Sequence, residues 1–63
     1  MRLNTDLIEI RRRQLGLKKG ELADRLEMTR QGLHYILYNR KTSIENITKI
    51  ADVLDVEPKD LLV

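Results

Sequence analysis

LADRLEMTRQGLHYIL, residues 22–37, holds two short helical patterns with almost nothing between them. Leu22, Ala23 and Leu26 recur at helical spacing, and so do Leu33, Ile36 and Leu37. The first set predicts a helix over about Lys19 to Leu26, and the second a helix over about Arg30 to Tyr38. Thr29 is the right residue type to cap the second helix, and Met28 before it can staple onto Leu33. That second helix leads with Arg30, Gln31, His34 and Tyr35, side chains that a small protein has no stability reason to gather.

Working outward, apolar positions keep helical spacing throughout, and no segment alternates with period two for long. Upstream, Thr5 to Leu15 forms a first helix capped by Asn4 or Thr5, with Ile8 and Leu15 on one stripe and Leu7 and Ile10 beside it. Gly16 ends it, since glycine tolerates the positive φ of a helix terminus. Downstream, Asn39 to Thr42 forms a basic connector. Thr42 or Ser43 caps a fourth helix, and Thr42 with Glu45 has capping-box spacing. Ile44, Ile47, Ile50, Ala51 and Leu54 make its stripe, the cleanest in the chain. Pro58 suits the first position of a short final helix that ends in Leu61, Leu62 and Val63. The expectation is one compact all-α domain over residues 1–63, a five-helix bundle.

Composition narrows the classes. At 63 residues the chain buries only about 60% of its unfolded surface. It contains no Cys, so it has neither a disulfide nor a thiolate metal site, and its single His cannot assemble a metal site alone. No apolar run approaches membrane-spanning length, and the first residues lack a signal peptide's apolar core. These features point to a soluble cytoplasmic protein that needs no cofactor and no membrane. An enzyme is not expected either, because no nucleophile–base pair or phosphate-cradling Gly motif is present. The net charge of +2 divides unevenly: residues 1–41 carry +5 and residues 42–63 carry −3. A basic front suits a polyanion, with the acidic rear turned away, although charged helix faces also simply meet water.

On a helical wheel Leu33, Ile36 and Leu37 fall together. The opposite face holds Gln31, Tyr35, Tyr38 and His34, with Arg30 at the rim. Nearly all of it can hydrogen-bond and none of it is acidic, whereas a merely solvated helix more often carries Glu/Lys pairs. The major groove of B-DNA admits a helix, Arg can grip guanine through two bonds, and Gln can grip adenine. The plainer alternative has the Tyr rings leaning over the core edge. Lys18-Lys19-Gly20 opens the preceding helix against local preference, because cations oppose the helix dipole and Gly costs about 0.8–1 kcal/mol relative to Ala. Free N–H groups with two Lys at such a start suit a phosphate.

From about Ile8 to Leu62 the chain resembles the helix-turn-helix DNA-binding domains of the Cro/repressor (XRE) type, the lambda-repressor-like fold. The resemblance is carried by Arg12, LGL (residues 15–17), ELA (21–23), TRQGLHYI (29–36), SIENITKIADVLDV (43–56) and PKDLL (58–62). It implies a sequence-specific regulator of transcription, of the phage or bacterial repressor kind, with helix 29–38 in the major groove of a two-fold operator. The resemblance implies base contacts by Arg30, Gln31 and Tyr35, and phosphate contacts by Arg12, Lys18, Lys19, Arg40 and Lys41. His34 and Tyr38 are further candidates for DNA contact. The expected partners are double-stranded DNA and a second copy of the chain, with Leu61, Leu62 and Val63 as candidates for the dimer interface. No small-molecule effector is inferred. The rival reading is a protein-binding module, an antitoxin or adaptor using the same fold. The sequence departs from the family pattern in three places. Glu27 stands where Gly is usual and is expected at positive φ, Gly32 replaces a common Ser or Thr, and Tyr38-Asn39 stands where Asn-Gly is common.

Overall fold

The computed structural model describes residues 2–63, and each helix in it begins and ends on identifiable backbone chemistry. α1 spans Thr5–Gln14, with Asn4 Oδ1 accepting from the Leu7 N–H at 3.2 Å. Gly16 ends it at φ +69°, turning the Leu17 N–H back onto the Arg12 carbonyl at 3.0 Å. α2 spans Lys19–Arg25 and opens on Lys18, whose side chain has no acceptor for the free amides. Glu21 supplies the reverse bond instead, its carboxylate accepting from the Lys18 N–H at 2.9 Å.

α2 closes through Glu27, which takes φ +58° while the Met28 N–H reaches the Ala23 carbonyl at 3.0 Å. This is the left-handed helix end that glycine usually supplies, here taken by a glutamate as expected. α3 spans Arg30–Asn39, and Thr29 Oγ1 accepts from the Gly32 N–H at 2.9 Å. α3 ends on Arg40 at φ +56°. α4 spans Ile44–Leu54 and ends on Asp55, also at φ +56°. Ser43 is its cap, with Oγ accepting from the Asn46 N–H at 3.2 Å. The Thr42–Glu45 box does not form, because Thr42 Oγ1 instead accepts from Asn46 Nδ2 at 2.9 Å.

The apolar stripes meet in one core: Ile8 of α1, Leu22, Ala23 and Leu26 around α2, Leu33 of α3, and Ile47, Ile50, Ala51 and Leu54 of α4. Leu3 and Leu61 close it from the two ends of the chain. A short antiparallel ribbon holds these two in place. Arg2 and Val63 exchange backbone hydrogen bonds of 3.0 and 2.8 Å, and the Asn4 N–H donates to the Leu61 carbonyl at 2.6 Å. On its other edge the Leu3 N–H donates to the Arg40 carbonyl at 3.0 Å, so the ribbon also fastens the end of α3.

Three expectations are corrected. Among the described residues there are four α-helices and one single-turn 3-10 helix, Pro58–Leu61, in place of a fifth α-helix. Pro58 does take the first position, but Leu62 is already extended, pairing with Leu3, which leaves no room for a second turn. Ile44 is 82% exposed, because at the first position of α4 it lies beyond the end of the core that Ile47 and Ile50 reach. Leu15 is likewise exposed, past the last turn of α1, and Ile10 faces outward.

Candidate nucleic-acid interface

α2 and α3 make the molecule's most extensive helix–helix contact, and α3 turns its polar side to solvent. Thr29 fixes where that helix starts, so the positions of Arg30 and Gln31 follow from a single cap. Arg30, Gln31 and His34 are exposed, and Tyr35 and Tyr38 are 70% and 80% exposed. The tyrosines therefore do not lean over the core edge. His34 stacks on Tyr38, with ring centroids 6.4 Å apart and planes inclined by 29°. Asn39 Nδ2 donates to the Tyr35 carbonyl at 2.9 Å, one turn back along α3.

This face is concave. A depression of about 740 Å³ runs along it, with Lys19, Arg30 and Gln31 towards the start of α3. His34, Tyr35, Tyr38, Leu33 and Leu37 complete its lining, Leu33 being almost wholly buried. No acidic side chain lines it. Lys19 joins these residues because α2 begins beside Arg30: a Cβ on Gly20 would stand 3.5 Å from Arg30 Nε. Gly20, which looked like a local cost at the start of α2, thus sits directly under the arginine. Sequence periodicity held no signal for that contact, since it runs between two helices. It held none for Leu33 and Leu37 either, whose inward direction hid their part in the depression.

The remaining candidates separate. Lys18, Arg40 and Lys41 are exposed. Arg12 is not placed as expected for a phosphate ligand: its side chain is only 12% exposed and already engaged. Nη2 meets Glu9 Oε2 at 2.6 Å, and Nη1 donates to the Leu17 carbonyl at 2.7 Å, bracing the turn between α1 and α2. A neighbouring arginine plays a similar part, Arg11 Nε donating to the Leu54 carbonyl at 3.0 Å at the end of α4. Leu61, an expected interface residue, is fully buried in the monomer's own core. Leu62 is half-buried, and Val63 is 68% exposed.

A family model described as helix-turn-helix matches residues 7–61, nearly the whole chain. The chain belongs to the Cro/repressor (XRE) type helix-turn-helix family. No curated protein and no solved structure matches it significantly. In this helix-turn-helix domain α2 and α3 are the two helices of the motif, with the turn at Glu27-Met28. The family is one of DNA-binding regulatory domains rather than enzymes. No helix among the described residues is long and apolar enough to cross a membrane. Among the described residues no group of three or more His, Cys, Asp or Glu is placed to hold a metal ion.

Proposed function

We propose that this helix-turn-helix domain is a sequence-specific transcriptional repressor acting on double-stranded DNA in the cytoplasm. The observation that carries the reading is the acid-free, exposed face of α3 with Lys19 and Arg30 at its leading end. α3 enters the major groove. Arg30, Gln31 and Tyr35 discriminate bases there, with His34 and Tyr38 beside them. Lys18, Lys19, Arg40 and Lys41 hold phosphates and set the register. Arg12 drops out of that set and serves as a brace, since Glu9 already neutralises it.

One copy presents a single groove-reading helix, and successive major grooves on one face of the duplex lie about 34 Å apart. Each copy reads one groove, and two copies related by a two-fold read a palindrome. Leu62 and Val63, left apolar and accessible once Leu61 has closed the core, are the interface candidates.

Selection of bound sequences from a random duplex library tests the reading, and an enriched palindrome is the expected outcome. Four phosphate contacts per copy give a slope of log K against log salt of roughly −4 per copy, and Lys19→Ala flattens it by about one. Failure to retain any duplex, with tight binding to a protein partner instead, would make the domain an antitoxin or adaptor module.

A further inference from the structure

Arg2 is an exposed cation to which neither helical spacing nor the family resemblance gives a role, yet both of its backbone groups are bonded. Its N–H donates to the Val63 carbonyl at 3.0 Å, and its carbonyl accepts from the Val63 N–H at 2.8 Å. Neighbouring side chains of an extended segment point to opposite sides, and Leu3 takes the inward side, 3% exposed. Arg2 therefore projects outward from a fixed base. The next N–H along, that of Leu3, donates to the Arg40 carbonyl at 3.0 Å, which sets Arg2 beside the basic loop after α3. Arg40 is held on both sides as well, its own N–H donating to the Ile36 carbonyl at 2.8 Å. Lys41 follows it, and all three side chains are exposed. Among the described residues the one ion pair is Arg12 with Glu9, so no carboxylate neutralises any of the three. Gathering like charges in this way disfavours the isolated protein until an anion joins them.

We infer that Arg2 is a further phosphate-binding residue, which the ribbon of the two chain ends places in one cluster with Arg40 and Lys41. The inference rests on the proposed reading of α3 as the groove-reading helix. The ten residues of α3 rise about 15 Å, close to the width of about 12 Å of the major groove. Lys18 and Lys19 stand at its leading end, where α2 begins beside Arg30, and the Arg2 cluster stands past its far end. Cations at the two ends of α3 thus meet the two phosphate walls of the groove. Because the backbones of Arg2 and Arg40 are already fixed, binding has only their side chains to order. A guanidinium can also grip a phosphate through two parallel bonds.

The test measures affinity of the full chain by fluorescence anisotropy, on the selected duplex and on random duplex, over a series of salt concentrations. Arg2→Ala flattens the slope of log K against log salt by about one unit. Raising salt from about 50 to 200 mM then costs the variant about 3.5-fold less affinity than it costs the parent. The loss is equal on preferred and random duplexes, as a backbone contact requires. Arg2→Lys keeps the charge and with it the slope. Combined with Arg40→Ala, Arg2→Ala departs from additivity by about twofold or more, whereas combined with Lys19→Ala at the opposite end it is additive. A slope unchanged in Arg2→Ala overturns the inference and leaves the DNA-binding reading standing. So does a loss confined to the preferred duplex, which would make Arg2 a base reader, and so does strict additivity with Arg40→Ala, which would dissolve the cluster. A parent chain that retains no duplex at all overturns both readings.

Discussion

α3 and α4 are nearly the same length, ten and eleven residues, yet they use their apolar residues in opposite ways. α4 buries Ile47, Ile50, Ala51 and Leu54 and exposes only the isoleucine at its first position. α3 buries Leu33 fully and Ile36 and Leu37 in part, while two tyrosines stand in solvent. One helix is spent on the core and the other on a surface. The lesson is that stability and recognition lie on different elements, so substitutions on each should move different measurements.

The largest effect should come from the α4 side. Leu54→Ala or Leu61→Ala, each at a fully buried site, should lower the unfolding free energy by about 2–5 kcal/mol. Base preference of the protein that remains folded should not change. A loss below about 1 kcal/mol in urea unfolding would show that the core can collapse around the gap and that the contrast between the helices is overstated.

On α3 the order reverses. Arg30→Ala or Gln31→Ala should cost about 1–3 kcal/mol on the preferred duplex and relax choice at one base position. Their melting temperatures should stay close to that of the parent, since exposed substitutions usually move stability by under about 0.5 kcal/mol. Equal losses on preferred and random duplexes would assign these side chains to the backbone instead.

The turns on either side of α2 sharpen the comparison, because Gly16 and Glu27 share a left-handed backbone with opposite chemistry. Nothing lies within 4 Å of where a Cβ on Gly16 would stand, so Gly16→Ala carries backbone strain alone, about 1–2 kcal/mol of lost stability. Glu27→Gly should run the other way, gaining about 1 kcal/mol less the added unfolded-state entropy of glycine. Calorimetry on both variants checks the pair, and a destabilised Glu27→Gly would mean that the glutamate side chain contributes something the backbone does not reveal.

The smallest effect concerns Gly20. A Cβ there meets only the flexible Arg30 side chain at ordinary contact distance, so Gly20→Ala should stabilise by about 0.5–1 kcal/mol. Any accompanying change in DNA affinity, read by fluorescence anisotropy on the selected duplex, measures how much Arg30 depends on the bare backbone beneath it.

Much of this was legible in the sequence where the physics is local. The caps at Asn4, Thr29 and Ser43, the stop at Gly16 and the stripe from Ile47 to Leu54 all follow from residue type and spacing. The positive φ at Glu27 was legible only through the resemblance, because a glutamate by itself gives no hint of a left-handed turn. Ile44 was misread because a helical wheel tells which side of a helix is apolar and not where along its axis the core ends. The fates of Leu61, Leu62 and Val63 depended on pairing with Arg2–Asn4, sixty residues away along the chain. Arg12 looked free because its partners, Glu9 and the Leu17 carbonyl, become neighbours only once α1 has formed and the Gly16 turn has closed.

The ribbon joining Arg2–Asn4 to Leu61–Val63 has a consequence for slow motion. It is a narrow pairing of a few backbone hydrogen bonds, so local opening needs far less free energy than global unfolding. In amide hydrogen exchange the Arg2 and Val63 N–H groups should therefore lose protection well before Ile50 or Leu54 in α4. The Leu3 N–H should exchange with them, and each such opening frees the Arg40 carbonyl to which it is bonded. The basic loop after α3 would then sample positions that the closed protein does not allow, on the timescale set by the opening of the ribbon.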